Sequence, residues 1–300
     1  MIRLYFLQAF YHLRENPIIT WVSILGTAMA ICMIMVLVIT FQVRLVDCEP
    51  EVNRSRTLYV PYMSVKQKGK SDNESANASM SVRTGRECFR ALSMPEAVTL
   101  ASGVYRVRAS VPSRSKATAD MVQTDEAFWT IFSFHFLSGE AFTKADCDAG
   151  LTRAVLDATT ARRLFGTTDA VGHTVQLDYV DYTVAGVVAD VSMLATAAYA
   201  QIWVPYTAAG AEAMSWQNDT MGPMHAIILA RSSADFDAIR EETELLRKKY
   251  NDGLQDVEVF YRGQPDTQLA YLYRRWYAEP DVPGVMLRYA IVVIILVVIT

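Results

Sequence analysis

The strongest constraint on this chain is a run of 26 residues without a charge, Ile18 to Val43, "IITWVSILGTAMAICMIMVLVITFQV". A helix rises about 1.5 Å per residue, and about 20 apolar residues cross the hydrocarbon core of a bilayer. The run can therefore span with tilt or with an end protruding, and it is too long for an ordinary buried core helix. It does not read as a secretory leader. Such leaders have apolar regions of about 7–15 residues and a small-x-small cleavage site, and "FQVRLVDCEP" offers none. An uncleaved transmembrane helix is predicted over 18–43.

The opposite end carries a second apolar run, "YAIVVIILVVIT", Tyr289 to Thr300. Its 12 residues are too short for a core of about 30 Å, so 285–300 is predicted to begin a second span within which this chain stops. Before the first span, Ile2, Phe6, Phe10 and Leu13 form a partial helical stripe, and Asn16-Pro17 breaks the helix ahead of the crossing. This predicts an interfacial helix over 1–17. Charge does not orient the protein. Arg3 and Arg14 precede the span, Arg44, Arg54 and Arg56 follow it, and the positive-inside rule does not govern a loop of about 240 residues.

Composition narrows the function by exclusion. With 28 Lys+Arg against 32 Asp+Glu, the chain lacks the basic surface that a nucleic-acid binder needs. It contains no G-x-x-x-x-G-K-[ST], no H-E-x-x-H and no G-x-S-x-G. His12, His135, His173 and His225 are scattered, and Glu140, Asp146 and Asp148 read as a solvated loop. No catalytic residue, metal or cofactor is therefore expected. Cys32 lies inside the first span. Cys48, Cys88 and Cys147 lie between the runs, so at most one disulfide can form among those three.

Between the spans the pattern alternates strands and helices. "TLYVPYMSV" reads as strand, "KQKGKSDNESANAS" as a loop or hairpin tip, "MPEAVTLASG" as a short helix ending at Gly103, and "VYRVRASV" as strand. Late in the chain, "HAIILAR" is a buried strand. Ser232 and Asp235 form a capping box, and Phe236, Ile239, Thr243, Leu246 and Tyr250 share one helix face. Glu244 and Lys248 are spaced to pair on the exposed side. Asn251-Asp252-Gly253 ends the helix, and "QDVEVFY" is a strand. These two segments suggest one α+β lobe, 44–118 with 216–284, interrupted by an insertion over 119–215. The insertion reads as β-rich. It has a short helix from Asp125 to Phe132, the strand "LTRAVLD", the helix "ATTARRLFG", two strands joined at Asp178 to Asp181, and the strand "QIWVPY".

"ARRLFGTTDAVGHTV", Ala161 to Val175, holds no nucleophile or phosphate cradle. It reads as a helix closing on Gly166 at its C-cap, followed by a tight connection with Gly172 at the turn. Such a stretch specifies a packed joint. "RENPIITWVSILGTAMAICMIMVLVI" resembles the first membrane helix of MacB/FtsX-type ABC transporter permeases. "TDEAFWTIFSFHFLSGEAF", "ARRLFGTTDAVGHTV" and "YTVAGVVADV" resemble, in order and spacing, the family's MacB-like periplasmic core domain. The matching positions are Leu137, Gly139 and Phe142 in a Leu-x-Gly-x-x-Phe turn, Leu164, Phe165 and Gly166 at a helix end, Gly172 in the following turn, and Gly186 opening a Gly-Val-Val strand. Ala170 and His173 replace the family's usual proline and lysine.

The resemblance implies an α+β extracytoplasmic domain flanked by transmembrane helices, with a Porter-like lobe and an inserted, β-rich Sabre-like lobe. It implies a multi-pass protein of the bacterial inner membrane with its large domain in the periplasm. Two permease subunits would pair, as homo- or heterodimer, and a separate cytoplasmic ABC ATPase would drive them. ATP hydrolysis would move the outer domains by mechanotransmission, for efflux, lipoprotein extraction or wall-hydrolase control. A periplasmic adaptor or effector is a further expected partner. "VSMLATAAYA", Val191 to Ala200, carries no charge, and its Met193 and Leu194 are candidate contacts to a subunit or periplasmic partner. The alternative is a two-span sensor with an extracytoplasmic ligand-binding domain.

Overall fold

The computed structural model describes residues 17–112, 116–274 and 279–299, together with Tyr11 and Glu15. The stripe Ile2, Phe6, Phe10 and Leu13 lies outside the described residues. In chain order the elements are α1 (Pro17–Leu45), β1 (Thr57–Val60), β2 (Met63–Gln67), β3 (Ala76–Ala78), α2 (Val82–Gly85), β4 (Ala97–Ser102), β5 (Tyr105–Ser110) and β6 (Lys116–Thr124). Then follow α3 (Phe128–Ile131), β7 (Phe136–Gly139), α4 (Lys144–Asp148), β8 (Arg153–Asp157), α5 (Ala158–Phe165), β9 (Thr174–Leu177), β10 (Val180–Val188) and β11 (Ile202–Pro205). The last are β12 (Met224–Leu229), α6 (Phe236–Gly253), β13 (Val257–Phe260), α7 (Gln268–Arg274) and α8 (Val282–Ile299).

The chain divides into two compact units, Met1–Leu45 with Asp281–Thr300, and Val46–Pro280. In the first, Thr20–Leu45 of α1 is 26 residues long, apolar enough to cross a membrane, and not buried by the protein. Within it, Thr27 Oγ1 donates to the Ser23 carbonyl at 2.8 Å, which satisfies a hydroxyl within an otherwise apolar surface. Asp281 starts α8 by accepting the Gly284 N–H at 3.0 Å. The rings of Phe41 and Tyr289 lie 5.7 Å apart.

The second unit is α+β and contains three sheets, ordered β1-β12-β4, β13-β2-β3 and β7-β10-β8-β11-β6-β5-β9. In the last, β9 also pairs with β10, so six of the seven strands close into a ring. Closure leaves those strands without a free edge. The long strand β10 makes this possible: Val180–Thr183 pair with β9, and Gly186–Val188 pair with β7 farther along.

Alternation along the strands sorts side chains into three stacked cores. Leu58, Val60, Leu100, Ala226 and Ile228 face the first core with Ile239 and Tyr250 of α6. Their neighbours Tyr59, Ala101, Ile227 and Leu229 face a middle core, where they meet Val122, Val155, Val188 and Trp203 from the larger sheet. Ala154, Leu156, Ile202 and Val204 face the third core, inside the ring, with Ala161, Leu164 and Phe165 of α5. The sheet β1-β12-β4 is thus covered on both faces, as are β8 and β11 of the larger sheet, whereas β5 and β9 keep their outer faces partly in solvent.

That double burial explains one miss. "MPEAVTLASG" contains β4, whereas a helix was expected. A strand covered on both faces shows no alternation and resembles a short buried helix in sequence. The helix lies upstream, where the Ser81 hydroxyl accepts the Thr84 N–H at 3.0 Å and α2 continues as a π-turn over Arg86–Arg90. Residues 105–110, expected in the first lobe, pair with β6 and β9 in the larger sheet. Glu244 pairs with Arg247 at 2.7 Å instead of Lys248, because the same guanidinium also donates to the Val259 carbonyl at 3.2 Å. All four cysteines are free thiols, and burial pushes Cys88 and Cys147 up to about 12, which keeps them protonated and unreactive.

Candidate functional site

Three assemblies tie the strands of the second unit together. The first is built on glycine. Gly139 of β7 sits opposite Gly186 of β10 in the ladder. Gly139 has φ +64°, and a Cβ there would approach the Ala185 carbonyl oxygen to 2.2 Å and Val171 Cγ2 to 2.7 Å. A Cβ on Gly186 would meet the Glu140 carbonyl oxygen at 2.6 Å. Neither position accepts a side chain without moving backbone. The loop after α5 closes the assembly. The Gly172 N–H donates to the Val184 carbonyl at 2.8 Å, Ser138 Oγ donates to the Thr168 carbonyl at 2.8 Å, and His173 packs on Phe165 with ring centres 5.7 Å apart. Gly166 caps α5 at φ +80°.

The second assembly lies where the chain enters the unit. Arg54 and Glu51 form a fully buried ion pair at 2.6 Å, 0% and 1% exposed. Arg54 also donates through Nη1 to the Val46 carbonyl at 2.7 Å and through Nη2 to the Leu194 carbonyl at 2.9 Å. The other Glu51 oxygen accepts the N–H groups of Ala197 and Ala198 at 2.7 and 3.0 Å. Both charges are therefore partnered on every side, as a buried pair requires. Three of these contacts, Arg54 to Leu194 and Glu51 to Ala197 and Ala198, hold the Val191–Ala200 loop, and Arg54 ties it to Val46, the residue that follows α1.

The third lies where the chain leaves. Asp266 and Arg274 form a buried, two-pronged pair, and Arg274 also donates to the Arg262 carbonyl at 3.0 Å. Burial raises the Asp266 carboxyl while Arg274 opposes the rise. Asp266 exchanges two backbone bonds with Tyr59 of β1, at 2.9 and 2.8 Å. The Tyr59 ring stacks on Tyr271 of α7, with centroids 4.5 Å apart. Burial, and then the nearby Glu51 charge, push the Tyr59 phenol well up. Tyr59 therefore feels the charges of the entry pair and is joined to the exit pair through its backbone bonds to Asp266.

A buried polar seam joins the smaller sheet to the larger one. The Asp125 carboxylate accepts Thr99 Oγ1 at 2.6 Å and the Leu100 N–H at 3.1 Å, and lies 3.4 Å from Arg90. Thr124 Oγ1 donates to the Leu100 carbonyl at 3.1 Å. Burial raises the Asp125 carboxyl to about 6, against the pull of Arg90.

The family model described as "MacB-like periplasmic core domain" matches residues 20–246. The chain belongs to that family. Membership makes it an ABC-transporter permease chain and implies an inner-membrane protein whose folded domain lies in the periplasm. No curated protein sequence matches the chain. Among solved structures, it is similar to the extracellular domain of the noncanonic ABC-type transporter YknZ from Gram-positive bacteria, at 17% identity and TM-score 0.45, covering 68% of this chain and 99% of that one. It is similar to the periplasmic region of MacB from Actinobacillus actinomycetemcomitans, at 16% identity and TM-score 0.47, covering 68% and 90%. It is also similar to a domain of a protein described as a permease from Porphyromonas gingivalis, at 15% identity, covering 74% and 97%. That last pair, at TM-score 0.50, shows a shared fold and nothing more.

Within this MacB-like domain the motif residues take distinct places. Gly139, Gly172 and Gly186 meet around β10, Leu164 and Phe165 are buried in the ring, and Phe142 is buried in the middle core. Leu137 stands apart: it is 44% exposed on β7. Met193 and Leu194 are exposed, at 72% and 52%, on the loop that the entry ion pair holds. Sequence reading missed both ion pairs. Glu51 and Arg54 are spaced i, i+3 right after a span, but nothing in that spacing announces partners 140 residues away.

Proposed function

We propose that this chain is a non-catalytic permease subunit of a MacB/FtsX-type ABC system. A separate cytoplasmic ATPase hydrolyses ATP, and the chain carries the resulting helix motion to its periplasmic domain. Residues 44–284 form that domain, and 285–300 begin a second span of a multi-pass protein that pairs with another permease subunit. Within it, 105–215 acts as the inserted Sabre-like lobe, starting at 105 where the sequence suggests 119, and the remainder as the Porter-like lobe. The glycine joint at Gly139, Gly172 and Gly186 keeps the inserted lobe rigid.

One observation carries this reading. Entry and exit are each tied by a buried, fully partnered ion pair, and both ties bear on Tyr59 of β1. A displacement that reaches either ion pair is then passed to a sheet covered on both faces. Efflux, lipoprotein extraction and wall-hydrolase control are all outputs such a stroke can serve, directly or through a periplasmic adaptor.

The test starts with the full-length protein purified from its native membrane. An ABC ATPase is expected to accompany it, and ATP is expected to change the spacing between labels on its periplasmic domain. A thiol-reactive crosslinker joining cysteines placed at Phe41 and Tyr289, whose rings touch in the first unit, should abolish that change. Absence of an ATPase, or unchanged motion in the crosslinked protein, would overturn the proposal.

A further inference from the structure

The Val191–Ala200 loop combines three properties that point in one direction. It carries no charge. Its alanines 195, 198 and 200 turn into the middle core, while Met193 and Leu194 turn out. It is also held still: Leu194 O by Arg54, the N–H groups of Ala197 and Ala198 by Glu51, and the Leu194 N–H by Ser192 Oγ at 3.2 Å. A loop that exposes two large apolar side chains while fixing its own backbone is prepared for an apolar surface, because the ordering cost is already met.

Covalent continuity identifies that surface. Arg54 holds the Val46 and Leu194 carbonyls on two prongs of one guanidinium, at 2.7 and 2.9 Å. The fork is rigid, so these two carbonyls are at most about 8 Å apart. Val46 directly follows Leu45, the last residue of the 26-residue apolar segment of α1. Such a segment rises about 39 Å, which exceeds a hydrocarbon core of about 30 Å and reaches into the headgroup layer. Val46 must therefore lie near the headgroups, and the Leu194 main chain lies beside it.

We infer that Met193 and Leu194 insert into the outer headgroup layer of the membrane that α1 crosses, so that the periplasmic domain rests on lipid as well as on its helices. This rests on reading α1 as a span, and it replaces the expected protein partner of these two residues with a lipid surface. The insertion is apolar, because the exposed charges close by, Arg44, Asp47 and Glu49, carry no net positive charge to attract anionic lipid. It therefore needs no particular headgroup.

The full chain, with Cys32 and Cys48 changed to serine, is reconstituted in phosphatidylcholine nanodiscs with and without a mixture of lipids that bear a nitroxide near the headgroup or deep in the acyl chain. An environment-sensitive fluorophore is attached in turn through Met193→Cys, through Ile31→Cys in α1, and through Tyr179→Cys on the exposed β9–β10 turn. The expected result is blue-shifted, nitroxide-quenched emission at 193, quenching at 31, and water-like, unquenched emission at 179. Leu194→Asp should reduce the quenching at 193. Quenching at 31 with none at 193 overturns the inference alone, and blue emission at 193 without quenching assigns the loop to a protein partner. Equal quenching at 179 marks non-specific adsorption and also overturns it. No quenching at 31 removes the span and the inference together.

Discussion

The glycine joint and the entry ion pair both lock strands of one periplasmic domain, and they do so by opposite means. At Gly139 and Gly186 the lock is an absence: two backbones approach until no Cβ fits between them. At Glu51 and Arg54 the lock is a surplus of polar groups, each satisfied by a partner brought from far along the chain. Close packing of backbone is dictated locally, by residue type and φ, and tolerates no substitution. A buried ion pair is dictated globally and tolerates substitution when both partners change together. The domain thus has a rigid joint in its larger sheet and a chemically adjustable tie just after α1.

The largest effect is expected at the joint. Gly139→Val adds branched carbon where a Cβ already meets a carbonyl oxygen at 2.2 Å, at φ +64°. A loss of about 5 kcal/mol or more is expected, seen as failure to fold or as a collapsed melting transition of tryptophan fluorescence. Gly166→Ala makes the contrast. It shares the left-handed backbone, φ +80°, but faces open space, so only the strain of about 1–2 kcal/mol remains. Equal losses at 139 and 166 would mean that the close approach does not matter.

The ion pair should behave differently. Arg54→Met leaves Glu51 charged and buried, which costs about 3–5 kcal/mol. Adding Glu51→Gln removes that charge and keeps an acceptor for Ala197 and Ala198, so the double variant should be more stable than Arg54→Met alone. Denaturant unfolding of the two variants in detergent gives the comparison directly. If the double variant is the weaker of the two, the pair is not the adjustable tie described here.

The same contrast explains what the sequence made legible. Gly166 and Gly172 were readable because a helix end and a turn each demand positive φ at one position, and the structure has +80° and +79° there. The strands β8, β9, β10 and β11 were readable because each alternates or is bounded by turn residues. β4 was not, since burial on both faces erased its period. The ring closure was invisible as well: it depends on β10 being long enough to serve β9 and β7 on one edge, a fact of register that composition does not carry. The anchors at Glu51–Arg54 and Asp266–Arg274 look like ordinary surface charges until their partners are known. Leu137 shows the converse, a motif position that the structure leaves on the surface.

The seam between the two sheets falls between these extremes and has the smallest expected effect. Asp125 is buried, and that burial raises its carboxyl to about 6. A raised carboxyl means that the folded state holds its proton more tightly than the unfolded chain does. Between about pH 4 and pH 6 the unfolded chain releases this proton first, so this group lowers stability as pH rises through that window, by at most about 3 kcal/mol. Above about pH 6 both states are ionised and its contribution is flat. Asp125→Asn keeps an oxygen for Thr99 and cannot titrate, so it should remove this slope while leaving Arg90 short of one partner. Melting temperatures of the parent and variant, measured at pH 4.5 and pH 7, should therefore converge toward the acid end. If they separate there instead, Asp125 is ionised in the fold throughout, and the seam is a true ion pair of the Glu51–Arg54 kind.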